Sequence, residues 1–160
     1  MTQRFGDRAR FCVEVGETTP PALRVVDLWA AGKWLTTDDN TAYTPSLSHY
    51  MRLEADRVRR GDVPSCPFPG RPPAEIFQLL RADETEFAQQ FWFMRWSEIV
   101  DNVSAFAYLD DDLVIMFGFW RTNHRFTDDL GTGFVTRIPP AEFASIANAA
   151  ADSLDAGVTQ

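Results

Sequence analysis

The chain has 160 residues, a formal net charge of −8, 45% hydrophobic and 13% aromatic side chains, and only two cysteines and two histidines. A chain of this length buries roughly two thirds of its unfolded surface, so one hydrophobic domain can stand without a disulfide framework or structural metal. The longest apolar run, Leu113 to Trp120, falls far short of the ~20 residues of a membrane span. No apolar segment follows the first basic residue, unlike a signal peptide. The expectation is a cytoplasmic protein whose Cys12 and Cys66 stay free thiols.

Charge is unevenly placed. Residues 1–80 carry ten acidic and ten basic side chains, residues 81–160 thirteen and five. An acidic surface repels nucleic acid and anionic lipid, and it speeds encounter with basic proteins.

Along the chain, Arg10 to Val15 alternates, with Phe11, Val13 and Val15 on one face and Arg10, Cys12 and Glu14 on the other, predicting a half-buried strand that Gly16 and Thr18-Thr19-Pro20-Pro21 end. Arg24–Trp29 and Lys33–Thr37 read as a hairpin turning at Ala30–Gly32. Pro45 and Ser46 open a helix with Leu47, Tyr50, Met51 and Val58 on one face and Gly61 at its end. The stretch 62–73 holds five prolines and can donate few ladder bonds, so it reads as a surface loop. Pro73 then starts a helix with an Ile76, Phe77, Leu80 stripe.

Residues 84–100 are crowded with aromatics that fit neither a period of 2 nor one of 3.6, and they read as helix first, strand second. Val103–Leu109 alternates and Leu113–Trp120 is continuously apolar, a hairpin feeding a central strand buried on both faces, with Asp110–Asp112 at its tip. A polar loop over 122–132, a strand over Gly133–Ile138 and a helix from Pro139-Pro140 complete the chain. That helix carries Phe143, Ile146, Ala147, Ala150 and Leu154 on one side. These elements predict an α+β fold over 1–160: a single domain, mainly antiparallel sheet packed by about three helices, with 156–160 a frayed tail.

Catalytic signals are sparse. His49 lies on a polar helix face. His124 has Asp128 and Asp129 at i+4 and i+5, a pattern that could orient an imidazole or ligate a metal, but a loop does not keep helical spacing. Asp110-Asp111-Asp112 lacks the rhythm of a calcium loop, and Gly131-Thr132-Gly133 precedes a strand, whereas phosphate-binding glycines precede a helix. Trp92, Trp96, Trp120 and Phe126 remain: aromatics beside acidic segments suit a surface that recognises a basic protein.

Residues 4–15, Arg-Phe-Gly-Asp-Arg-Ala-Arg-Phe-Cys-Val-Glu-Val, set a Gly-Asp pair ahead of a strand. Together with Leu28-Trp29, Gly32-Lys33-Trp34, the Asp-Asp-x-Val-Ile of 111–115 and Ile138-Pro-Pro-Ala-Glu-Phe143, this string resembles the immunity proteins of bacterial polymorphic-toxin and contact-dependent growth inhibition systems. The resemblance implies a small cytosolic α+β protein that binds a cognate toxin domain and blocks it by occlusion, without catalytic residues, cofactor or metal. It assigns no contact residues.

From the chain itself, the expected toxin-binding face is the tip Asp110, Asp111 and Asp112, the loop residues Asn123, His124, Phe126, Asp128 and Asp129, and Trp120. A basic toxin such as a nuclease suits the charge; nucleic acid and membrane do not. The alternatives are a general intracellular adaptor module, or a small hydrolase or transferase using His124 with Asp128 or Asp129.

Overall fold

Residues 2–19 and 22–158 are described by a computed structural model, which bears out the α+β expectation. An antiparallel sheet comes first: β1 (Gln3–Asp7), β2 (Phe11–Thr19), β3 (Leu23–Ala30), β4 (Lys33–Trp34) and β5 (Thr41–Tyr43), in the order β1-β2-β3-β4, with β5 pairing the other half of β3. A second antiparallel sheet is formed by β6 (Val103–Asp110), β7 (Asp112–Phe119) and β8 (Phe134–Ile138) in sequence order. The helices are α1 (Thr44–Arg59), α2 (Pro73–Ala82), a single turn α3 (Glu86–Gln89) and α4 (Pro140–Val158). No helix among the described residues is long and apolar enough to cross a membrane.

The main core lies where the apolar periodicities converge. Phe11, Val13 and Val15 of β2 and Val26, Leu28 and Ala30 of β3 meet the buried stripes of α1 (Leu47, Met51, Ala55, Val58) and α4 (Phe143, Ala147, Ala150, Leu154). The second sheet supplies Leu113, Ile115 and Phe117 to the same core, while Val114 and Met116 on its other face meet Ile76, Phe77 and Leu80 of α2. Strand β7 is thus covered on both sides, which is why its sequence is continuously apolar. Phe77 fits there because Gly118 and Gly133 leave room: a Cβ on either would stand 2.7 or 2.8 Å from its ring.

Local signals set several boundaries. Ala31 and Gly32 both take positive φ (51° and 76°) at the β3–β4 turn, the backbone that a tight hairpin requires. After α1, Gly61 at φ 75° donates to the Val58 carbonyl and Asp62 to that of Arg57, a Schellman ending.

Other expectations are corrected. Strand β2 does not stop at Gly16: its ladder with β3 resumes at Thr18 after an irregularity beyond Val15, while Pro20 and Pro21 lie outside the described residues. The polar face of β2 is not solvated, because Arg4 and Arg8 bond to Glu14 at 2.8 and 2.7 Å and leave its side chain buried. Lys33–Thr37 gives only a two-residue strand, since Thr36 turns inward and its hydroxyl donates to Asp27 at 2.7 Å. Tyr50 is exposed rather than on the buried face of α1, whose stripe takes Ser48 and Ala55 instead. In 84–100, the strand reduces to a bridge between Trp92 and Phe106 and the helical part to α3, with a 3-10 turn at Glu98–Val100. The C-terminal helix continues past Ala156 into the expected tail 156–160, of which 159–160 lie outside the described residues. It runs to Val158, with Leu154 buried and Arg52 of α1 donating to Asp152 and Asp155 at 2.8 and 2.6 Å.

Candidate binding surface

The residues expected to form one face are divided between the two ends of β7. Asp110–Asp112 turn the β6–β7 hairpin, with Asp111 at φ 59° and Asp110 3.7 Å from Arg137. Trp120 and the following loop lie at the far end of the strand. At ~3.3 Å per residue that is roughly 25 Å away, so the aspartate tip is not part of a surface centred on Trp120.

The loop after Trp120 is tied down by Arg121 to Asp38 (3.0 Å) and by Lys33 to Asp129 (3.2 Å). His124 is its inner anchor, not a surface contact. It is buried, its ring stacks on Phe119 at 4.0 Å and 16°, and its Nε2 has no hydrogen-bond partner among the described residues. The hydrolase arrangement is therefore not assembled as the spacing suggested, Asp129 being engaged by Lys33 and Asp128 exposed. Asn123 is exposed at the loop's outer side. Phe126, also exposed, shares with Asp128, Asp129 and Arg125 one wall of a cavity of about 540 Å³ whose other wall is the β3–β4 hairpin with Trp29 and Trp34. Arg125 lies 5.1 Å over Trp34, and Trp34 stacks beside Trp29.

Trp120 faces elsewhere. Its indole donates to the Asp101 carbonyl at 2.8 Å, and with Tyr50, Met94, Arg95 and Trp96 it lines a second cavity of about 560 Å³. A shallower hollow adjoins it, sharing Tyr50, Arg95 and Trp96 and adding Leu53 and Trp92. Tyr50, Leu53, Trp92 and Trp120 are exposed by 47, 52, 39 and 46%, so this basin gathers four of the large apolar side chains left uncovered. Arg95 sits at its centre, its guanidinium 3.7 Å over the Trp92 ring.

The basin is held in shape from below. Glu54 of α1, largely buried, accepts from the Met94 backbone N–H (2.8 Å), the Trp96 indole (3.3 Å) and Arg57 (3.2 Å). Burial pushes the Glu54 carboxyl above its ordinary range, while the Met94 N–H and Arg57 pull it back. Met94 has φ 55°, and this reversal separates Trp92 and Arg95, on the surface, from Phe93 and Met94, in the core. Arg95, Leu53 and the exposure of Tyr50 escaped the sequence reading. The usable signal was Arg95 between Trp92 and Trp96, since Trp, Tyr and Arg are the residue types that dominate binding energy at interfaces.

Among the described residues, no group of three or more His, Cys, Asp or Glu is placed to hold a metal ion. Comparison of the chain with protein-family models, with curated proteins and with solved structures gave no match in any of the three.

Proposed function

We propose that this protein binds another protein stoichiometrically and occludes its working surface, in the manner of an immunity protein that neutralises a cognate toxin domain in the cytoplasm. The observation that carries the reading is the basin: Tyr50, Leu53, Trp92 and Trp120 exposed around Arg95 on a frame fixed by Glu54. Clusters of this composition on a rigid support act as binding hot spots, because little freedom remains to be lost on association. Acidic side chains border it: Asp101 on the Trp120 cavity, and Asp83 and Glu84 on a hollow that also meets Trp92 and Arg95. With the net charge of −8, they favour a partner that is basic overall, such as a nuclease toxin.

The test is growth rescue. The chain is co-expressed with the toxin-like domain encoded beside its gene, and the pair is run by size-exclusion chromatography with light scattering. Rescue with a one-to-one complex, lost in a Trp92→Ala/Trp120→Ala double variant, supports the reading. A toxic neighbour that is not rescued would overturn it, and a harmless neighbour would favour a general adaptor using the same basin.

A further inference from the structure

Arg59, Arg95 and Arg125 are the arginines that make no hydrogen bond or ion pair to an oxygen among the described residues. Arg59 projects into solvent from the last turn of α1, and Arg125 shares its cavity with Asp128 and Asp129. Arg95 is different. In the Trp120 cavity the acidic side chain is Asp101, which forms no ion pair with Arg95 among the described residues; the Trp120 indole holds its backbone carbonyl, not its carboxylate. In the Tyr50/Leu53 hollow it is Glu54, already occupied by Met94, Trp96 and Arg57. One face of the Arg95 guanidinium is shielded by Trp92, and partial dehydration draws its pKa below the usual arginine value. A guanidinium that has lost water on one face and gained no anion is prepared for a bidentate acceptor.

We propose that Arg95 receives a carboxylate of the protein partner: an Asp or Glu side chain next to an apolar residue, the carboxylate on the guanidinium edge and the apolar neighbour against Tyr50, Trp96 and Trp120. A single carboxylate fits where a polyanion does not. Asp83, Glu84 and Asp101 around the basin disfavour the repeated charges of a nucleic acid or an anionic membrane, whereas one acidic side chain of an otherwise basic partner, entering the Trp120 cavity, meets Arg95 as the one basic residue of its lining, Arg81 lying on the Asp83 and Glu84 side. Such a contact fixes register and excludes partners that lack it, because an unpaired Arg95 buried under a wrong partner is costly. The inference rests on the basin being the partner-binding face, and its test does not use that partner.

The full chain, labelled with ¹⁵N, is titrated with N-acetyl-Glu-Phe-amide and with N-acetyl-Gln-Phe-amide. The two probes differ in the carboxylate. The expected result is displacement of the Trp92, Trp96 and Trp120 indole signals and of the Arg95 Nε–H by the Glu peptide, with at least about fivefold tighter binding than the Gln peptide. The preference should vanish in Arg95→Gln. Arg95→Lys, which keeps the charge and loses the fork, should retain part of it and serves if the Gln variant does not fold. No displacement, equal response to both peptides, or a preference that survives Arg95→Gln would overturn the proposal. Growth rescue without any carboxylate preference would remove Arg95 from the account and leave the immunity reading standing; a preference without rescue would do the reverse.

Discussion

The carboxylate of Glu54, in the middle of α1, accepts the backbone N–H of Met94 at 2.8 Å, and Met94 is held at φ 55°. A left-handed backbone at a non-glycine residue costs about 1–3 kcal/mol and persists only where its surroundings over-determine it. Glu54 supplies that determination, and with it the splay of Trp92, Arg95 and Trp96.

Glu54→Gln should therefore lower stability by about 1–3 kcal/mol, since a neutral amide also turns its NH₂ toward groups that need an acceptor. The pH dependence is specific. Because burial raises the folded carboxyl above its ordinary 4.5, the folded chain keeps a proton there that the unfolded chain has released, and stability falls as pH rises through that window. Glu14, held low chiefly by its bond to Arg8, acts oppositely: its contribution is present above 4.5 and is lost as pH falls below it. Urea midpoints measured from pH 3 to 8 should show a decline just above 4.5 that is absent in Glu54→Gln. An unchanged slope in the variant would assign the decline to another group.

A second prediction concerns the clamp between α2 and the second sheet. In Gly118→Ala the new methyl would lie 2.7 Å from the Phe77 ring and 2.9 Å from the Thr132 carbonyl, closer than unrelaxed contacts allow. Overpacking of this kind costs about 1–3 kcal/mol. Phe77→Leu should recover part of that loss, so the two changes should combine non-additively in a thermal-unfolding double-mutant cycle. Additive losses would place the strain at Thr132.

What was legible in the sequence follows from how each segment is covered. Strand β7 was readable because both of its faces are buried, and α1 because Pro45 and Gly61 bracket it. The 84–100 segment was not, since it passes along the edge of β6 and serves two cores in turn: Ala88 and Phe91 join the α2 cluster, then Phe93, Met94 and Trp96 join the main one. No single period describes a chain that changes sides. β1 was missed because its residues are mostly exposed, with only Phe5 turned inward. The site was half legible. Trp120 and Phe126 are exposed as expected, but proximity in sequence to the same strand hid the length of β7 between them and Asp110–Asp112, and only the fold brings Tyr50 and Leu53 of α1 to Arg95.

His124 offers a test of whether the loop works by chemistry or by shape. Its buried Nε2 is unpaired and its ring lies flat on Phe119. Burying a polar atom without a partner costs about 1–3 kcal/mol in proteins, so His124→Phe, which keeps the stack, should leave the melting temperature unchanged or raise it. His124→Ala opens a cavity and should cost about 2–4 kcal/mol. If binding of the partner survives His124→Phe, the imidazole serves packing; loss of function in a stable His124→Phe variant would bring the acid–base reading forward.

The aromatic basin makes the most direct prediction. Trp92 and Trp120 are 39 and 46% exposed, so truncation also strips the buried part of each ring, and at about 25 cal/mol per Å² of apolar surface it should lower folding stability by roughly 1–3 kcal/mol, which is why affinities are read on variants shown to be folded. At a hot spot the same truncation costs about 2–4 kcal/mol of binding energy, or roughly 30- to 1000-fold in affinity. Trp120→Ala also removes the indole bond to the Asp101 carbonyl, so Trp120→Phe provides the comparison that keeps the ring and loses only the donor. Calorimetric titration of the partner should show Trp92→Ala and Trp120→Ala weakened by at least tenfold, Trp120→Phe by much less, and Phe126→Ala on the separate cavity unchanged. The reverse ranking, with Phe126→Ala most damaging, would move the interface from the Arg95 basin to the cavity between Trp34 and the loop after Trp120.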